Sequence, residues 1–144
     1  MITVKDILGT KGHDVLSVTP DATVYEALRI MAENNVGALV VLDGETVAGI
    51  MSERDYARKV ILHGKSSREM QVREIMTSRV YYMRPEQDLQ ECMAQMTDRH
   101  VRHLPILEND RLVGIISIGD VVKAIIADQE STIKLLETYI TGTP

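Results

Sequence analysis

The sequence predicts an α/β (α+β) fold of two tandem β-α-β-β-α repeats whose sheets pack on each other. Three observations predict it. First, one motif occurs twice: Gly49-Ile50-Met51-Ser52-Glu53-Arg54-Asp55 and Gly114-Ile115-Ile116-Ser117-Ile118-Gly119-Asp120. Second, an ungapped offset of 65 relates ten identical pairs over the 38 positions 18–55, among them Pro20/Pro85, Glu26/Glu91, Met31/Met96, Leu39/Leu104 and Asp55/Asp120. Unrelated sequence of this composition would give roughly two, so a duplication is the better account. Third, strand-like and helix-like periodicities follow one another in the same order in both copies.

Each copy opens with a leader, Val4-Lys5-Asp6-Ile7-Leu8 or Val72-Arg73-Glu74-Ile75-Met76, read as a short helix or turn. The leaders are offset by 68, so the first carries three extra residues around Gly9-Thr10-Lys11-Gly12-His13. A brief strand is expected at about 15–18 and 80–83, ending at Pro20 or Pro85. A helix follows at about 23–34 and 88–99. Val24, Ala27, Leu28, Met31 and Ala32 mark the buried stripe of the first helix; Leu89, Cys92, Met93 and Met96 mark that of the second. Asp21 or Thr23 can cap the first and Asp88 the second. Strands at about 38–42 and 47–51 are joined by Asp43-Gly44-Glu45, and those at about 103–107 and 112–117 by Glu108-Asn109-Asp110. Helices close the copies at about 53–62 and 119–140. The second extends beyond the repeat with an apolar face, Ile133, Leu135, Leu136, Tyr139 and Ile140, read as a partner surface or as a face folded back on the chain. The polar stretch Gly64–Glu69 links residues 1–65 to 66–144. A copy of this size is marginal alone, so the two are expected to share one core.

Composition narrows the function. Apolar residues make up 44% of the 144, but Phe and Trp are absent, so the core is aliphatic with eight Met. The missing aromatics and a net charge of −5 speak against nucleic-acid binding. The single Cys92 cannot form an internal disulfide, which suits a reducing, cytoplasmic setting. No signal-peptide pattern opens the chain, and no apolar run approaches the ~20 residues of a membrane span. His13, His63, His100 and His103 share no ligand spacing, so no metal is expected.

The motif carries the chemistry. A strand stops at Ser52 or Ser117, where a helix N-cap belongs, and Asp55 or Asp120 falls in the first helical turn. Helix-start N–H groups suit a phosphate, and a carboxylate beside them accepts from both hydroxyls of a ribose diol. Ordinary capping would explain either copy alone. Neither serine has a nucleophile-elbow glycine pattern, and there is no phosphate-loop lysine motif or dinucleotide fingerprint, so no enzyme is expected.

Taken with Val101-Arg102-His103-Leu104-Pro105-Ile106, the tandem motifs resemble the cystathionine-β-synthase (CBS) domain pair, or Bateman module, over nearly the whole chain. The resemblance implies two clefts related by a pseudo-two-fold axis, taking AMP, ADP, ATP, NAD(H) or S-adenosylmethionine. It places Ser117, Asp120, Ile115 and Leu16 in cleft two, lined by Val36 and Gly37, with Arg102 and His103 on phosphate. It places Ser52, Arg54, Asp55, Ile50, Thr77 and Tyr81 in cleft one. On the residues alone, Arg102 and His103 could be a solvated strand edge, Arg54 could pair with a nearby acid, and Arg58 and Lys59 look like a solvated helix face. Of Tyr81 and Tyr82, one should face inward. The resemblance further implies a homodimer. The expected function is a regulatory adenine-nucleotide sensor acting on a partner; the alternative is a scaffold acting through its dimer surfaces.

Overall fold

The computed structural model describes residues 1–142. In chain order it holds α1 (Val4–Lys11), β1 (Ser17–Val18), α2 (Val24–Asn34), β2 (Ala38–Asp43), β3 (Thr46–Ser52), α3 (Glu53–Lys59), α4 (Leu89–Arg99), β4 (His103–Glu108), β5 (Arg111–Ser117) and α5 (Ile118–Thr141). Single 3₁₀ turns lie at Ile61–His63 and Val72–Glu74. The duplication reaches the backbone detail. Helices α2 and α4, the hairpins β2–β3 and β4–β5, and the register shifts at Val41/Leu42 and Ile106/Leu107 all repeat at the sequence offset. Both α2 and α4 end on a left-handed residue, Asn35 (φ 52°) and His100 (φ 55°), residue types that tolerate that region. Thr23 and Asp88 are the N-caps, accepting from Glu26 N and Glu91 N; Asp21 instead accepts from the Thr19 hydroxyl.

The expected strand at 80–83 contracts to one bridge, Met83 with Ile106, whereas β1 pairs properly with β2. The cause is Pro105. In the first copy Val40 N donates to Leu16 O (3.3 Å); the matching position, Pro105, has no N–H, so only the bonds of Met83 survive. The helix expected over 53–62 stops at Lys59 and finishes in the 3₁₀ turn.

The two copies exchange their leaders. Val4 N donates to Gln87 O (2.8 Å), Lys5 N to Pro85 O (2.9 Å) and Leu89 N to Ile2 O (2.9 Å), so the first leader docks on the second copy. The same three bonds recur as Val72 N to Ala22 O (2.8 Å), Arg73 N to Pro20 O (3.0 Å) and Val24 N to Met70 O (2.9 Å). The core follows this exchange and forms two clusters rather than the one expected. Val4, Ile7 and Leu8 pack with Leu104, Ile106, Ile116 and Val121; Val72 and Ile75 pack with Val24, Leu39, Val41 and Met51. Strand alternation explains the split: Leu39 and Val41 face one cluster, while Val40 points to the opposite face and is also fully buried. The sequence division at 65/66 is thus crossed by both leaders. Met93, expected in the buried stripe, is 41% exposed, because Leu89, Cys92 and Met96 already span the inward face of α4; Ala32 is exposed likewise.

The exchange accounts for the motif glycines. A Cβ at Gly114 would stand 2.6 Å from Leu8 Cδ2, and one at Gly49 would stand 2.8 Å from the Thr77 carbonyl and 2.9 Å from Met76 Sδ. Thr77 cannot yield without loosening its paired bonds with Ile50 (Ile50 N to Thr77 O 3.0 Å, Thr77 N to Ile50 O 2.8 Å). Gly49→Val is therefore expected to lower the unfolding free energy by about 1–3 kcal/mol, read as a reduced urea midpoint with unchanged slope.

Candidate functional site

Each strand-to-helix turn closes in a reciprocal capping box. Asp55 N donates to Ser52 Oγ (3.2 Å), and Asp55 Oδ2 accepts from Ser52 N (2.9 Å) and Ser52 Oγ (3.0 Å). Asp120 and Ser117 repeat the arrangement at 3.2, 2.8 and 3.0 Å. The first helical N–H is also engaged, Glu53 N with Gly37 O (3.0 Å) and Ile118 N with Arg102 O (2.8 Å). The helix-start donors that the sequence reserved for phosphate are thus largely occupied by the protein itself. The charge at the site therefore comes mainly from side chains.

Those side chains converge at cleft one. A cavity of about 530 Å³ is lined by Ile50, Ser52, Arg54, Asp55, Thr77 and Tyr81, the six residues expected there, and by Glu53, Arg58, Lys59, Arg79, Val80, His100 and Val101. It is also lined by Gly37, Arg102 and His103, which the resemblance had allotted to cleft two. The difference has a simple geometry. The Arg102 carbonyl holds the start of α5, at cleft two, while the His103 ring crosses to Gly37, with Cε1 3.8 Å and Nε2 3.9 Å from where a Cβ would sit. A Cβ at Gly37 would meet the His103 ring only at ordinary contact distance; Glu53 Oε1, at 3.3 Å, lies nearer. Leu16, Val36, Ile115, Ser117 and Asp120 are not part of this lining.

The cavity is cation-rich in an acidic chain. Arg54, Arg58, Lys59, Arg79 and Arg102 line it against Glu53 and Asp55, whereas the whole chain carries −5. Arg58 and Lys59 were expected on a solvated face; both are exposed, and both also line the cavity. Lys59 Nζ bonds Asp55 Oδ1 (3.2 Å) and the Ile75 carbonyl (2.8 Å). That pairing was visible as an i, i+4 spacing. Arg79 and His100 had no sequence signal, since neither lies in the repeated motif. Arg54 Nη1 reaches only the His100 carbonyl, at 3.4 Å. Asp55 is the buried charged residue of the site, 8% exposed, and also accepts from the Thr77 hydroxyl at Oδ1 (3.2 Å). Tyr81 is half-buried at the wall with the Arg99 guanidinium 4.7 Å over its ring, while Tyr82 faces out.

Cleft two is arranged differently. Lys11 Nζ donates to Asp120 Oδ2 and to the Ile115 carbonyl, both at 2.6 Å, and His13 Nδ1 donates to the Val113 carbonyl (3.0 Å). The first leader thus covers the free edge of β5 with side chains. Burial acts to raise the Asp120 pKa, but the Lys11 ammonium and the Ser117 donors together hold it below the ordinary carboxylate value.

Burial, with Lys11 and Arg102 nearby, pushes the His103 pKa below its ordinary 6.5, against the opposing pull of Asp120. A folded-state pKa below the unfolded one means that the unfolded chain binds the proton first as pH falls. The contribution of His103 to stability is therefore complete above about pH 6.5 and declines as pH drops through the folded value. His103→Gln is expected to flatten the pH dependence of the denaturation midpoint below pH 6.5, measured against wild type.

Two stacked repeats, twin capping boxes on a pseudo-two-fold axis and a cavity between them define a tandem CBS pair. The CBS domain family profile matches residues 4–61 and 72–127, and the chain belongs to that family. A CBS-domain protein from Burkholderia ambifaria is 51% identical, with a TM-score of 0.85 over 88% of this chain and 96% of that one. The mitochondrial CBS domain-containing protein CBSX3 of Arabidopsis thaliana is 38% identical over 97% of this chain and 72% of its own length. The CBS pair of protein MJ0100, solved with 5′-methylthioadenosine and S-adenosyl-L-methionine, shares the fold at 22% identity and a TM-score of 0.78, covering 89% of this chain and 98% of that one.

Proposed function

We propose that the chain is a regulatory module that binds an adenine nucleotide in cleft one and acts on a partner through the resulting change in shape. The observation that carries this reading is the cavity itself: five cations against two acids, one of them the buried Asp55, with aliphatic walls. Ile50, Val80 and Val101 supply a surface for a purine, Asp55 and Thr77 supply groups for a ribose, and Arg58, Arg79 and Arg102 supply charge for phosphates. The same charge balance favours ATP, ADP or NAD(H) over the cationic S-adenosylmethionine that the MJ0100 pair holds. Bond-breaking chemistry has no support at the site. Ser52 and Ser117 spend their hydroxyls on the capping boxes, and burial, helped by Asp88 and Glu91, pushes the Cys92 thiol up to about 11. That buried, unpaired thiol accords with work in the cytoplasm.

A thermal-shift panel with AMP, ATP, NAD, NADH and S-adenosylmethionine tests the reading. A ligand that binds only the folded state raises the midpoint. ATP or NAD(H) should raise it and added salt should weaken the effect; no shift with any of the five would overturn the proposal.

The scaffold reading draws on α5. Among the described residues Leu135 (71%), Tyr139 (89%) and Ile140 (80%) lie exposed on its last turns, and no helix is long and apolar enough to cross a membrane. We assign this face to homodimer contact, where the nucleotide signal would be passed on. Leu135→Glu with Ile140→Glu is expected to halve the mass seen by light scattering; an unchanged mass would remove α5 from the interface.

A further inference from the structure

The two clefts share a capping box but differ in what the exchanged leader lays across it, a difference that bears on the proposed nucleotide reading and rests on it. In cleft one Thr77 spans the gap between strand and helix with two separate groups. Its N–H donates to the Ile50 carbonyl (2.8 Å) and its hydroxyl to Asp55 Oδ1 (3.2 Å). In cleft two one group reaches both the strand carbonyl and the carboxylate: Lys11 Nζ bonds the Ile115 carbonyl and Asp120 Oδ2, the oxygen that also closes the capping box, each at 2.6 Å.

The consequences for an incoming diol are opposite. A hydroxyl both donates and accepts, so Thr77 can turn to accept from a ribose hydroxyl while its backbone bond to Ile50 stays in place. An ammonium only donates, and its short bond to a carboxylate is charge-assisted. Cleft one also has an ammonium on its carboxylate, Lys59 at 3.2 Å from Asp55 Oδ1, but the second bond of Lys59 goes to the Ile75 carbonyl and not to Ile50. A diol that claimed the Lys11 position would break that bond and strip the Ile115 carbonyl of its donor at once. The surrounding charge adds to the difference. Arg102 and His103 of the second copy reach cleft one, but their counterparts Gly37 and Ala38 bring no cation toward cleft two. Lys11 itself sits in the stretch that makes the first leader three residues longer; at the leader offset of 68 its counterpart is Arg79, which lines cleft one, where Thr77 and Lys59 are the residues on Asp55 Oδ1.

We infer that Lys11 is a latch: its ammonium stands where a ribose diol would bind in cleft two, so the chain loads one nucleotide, in cleft one, and cleft two opens only when the lysine is withdrawn. The Lys11 side chain is 30% exposed, so it can swing into solvent without disturbing the core. The Asp120 carboxyl, held below its ordinary pKa, keeps its charge and hence its hold on Lys11 at neutral pH.

Calorimetric titration with ATP on the full chain tests the latch. Wild type should show one site per chain, and Asp55→Asn should weaken that site at least tenfold. Lys11→Met should show two sites, and in the Asp55→Asn background it should restore one, at least tenfold tighter than the residual binding of Asp55→Asn alone. Lys11→Arg, which keeps the charge, should stay at one site. Should Lys11→Met fail to fold, Lys11→Gln carries the same test. Two sites in wild type, or a single site in both Lys11→Met and Lys11→Gln, would overturn the latch and leave nucleotide binding in cleft one intact. No ATP binding by any of these proteins would overturn both readings together.

Discussion

Leu8→Ala is expected to destabilise the second copy, although Leu8 lies at the start of the first. Leu8 is 1% exposed in the cluster with Leu104, Ile106 and Ile116, so its truncation should cost about 2–5 kcal/mol. That is a large share of the roughly 5–15 kcal/mol that stabilises a domain. Gly114→Ala should cost about 1–3 kcal/mol by itself, since its Cβ would fall 2.6 Å from Leu8 Cδ2. The decisive quantity is the coupling between them. With Leu8 cut to alanine the added methyl finds space, so the double variant should be less destabilised than the sum by about 0.5–3 kcal/mol. Urea denaturation of the four proteins gives the cycle. Simple additivity would mean that the first leader does not pack on β5, and the exchange of leaders would fall with it.

Asp55→Asn should weaken ATP binding by about ten- to a hundredfold, the range set by the ~1.5–3 kcal/mol of a hydrogen bond to a charged group. Its effect on unliganded stability should be far smaller. Asparagine keeps one acceptor oxygen for the capping box, and the Lys59 partner is 45% exposed, where an ion pair contributes about 0–1 kcal/mol. Binding and stability thus separate at this position. If both fell together by the same free energy, Asp55 would be a structural cap and no more. An unchanged dissociation constant would remove it from the site.

Much of this was legible in the sequence because the signals were local. Capping residues, stripe spacing and hairpin positions are set by neighbours within a few residues, and the duplication tested each against its copy. Ser52 with Asp55 and Ser117 with Asp120 form the boxes that their spacing implied. What escaped were choices made over long separations. The apolar character of Val4, Ile7 and Leu8 was visible, but the pattern could not say that their pocket lies beside Gly114 rather than in their own copy. Arg102 and His103 were expected at cleft two and also line the cavity at cleft one, with His103 still near Lys11 and Asp120, because a backbone at one helix start can send a side chain toward the other. Lys11 was seen only as part of an insertion. Its meaning depends on Asp120 and Ile115, to which no periodicity connects it.

The most direct test of the central claim, that cleft one is built for an adenine nucleotide, is a crystal structure of the chain grown with ATP. The account predicts ribose hydroxyls at Asp55, the purine against Ile50 and Val101, phosphates among Arg58, Arg79 and Arg102, and Lys11 still on Asp120. An empty cleft one at saturating ATP, or ATP bound at Asp120 with Lys11 displaced and cleft one vacant, would contradict it.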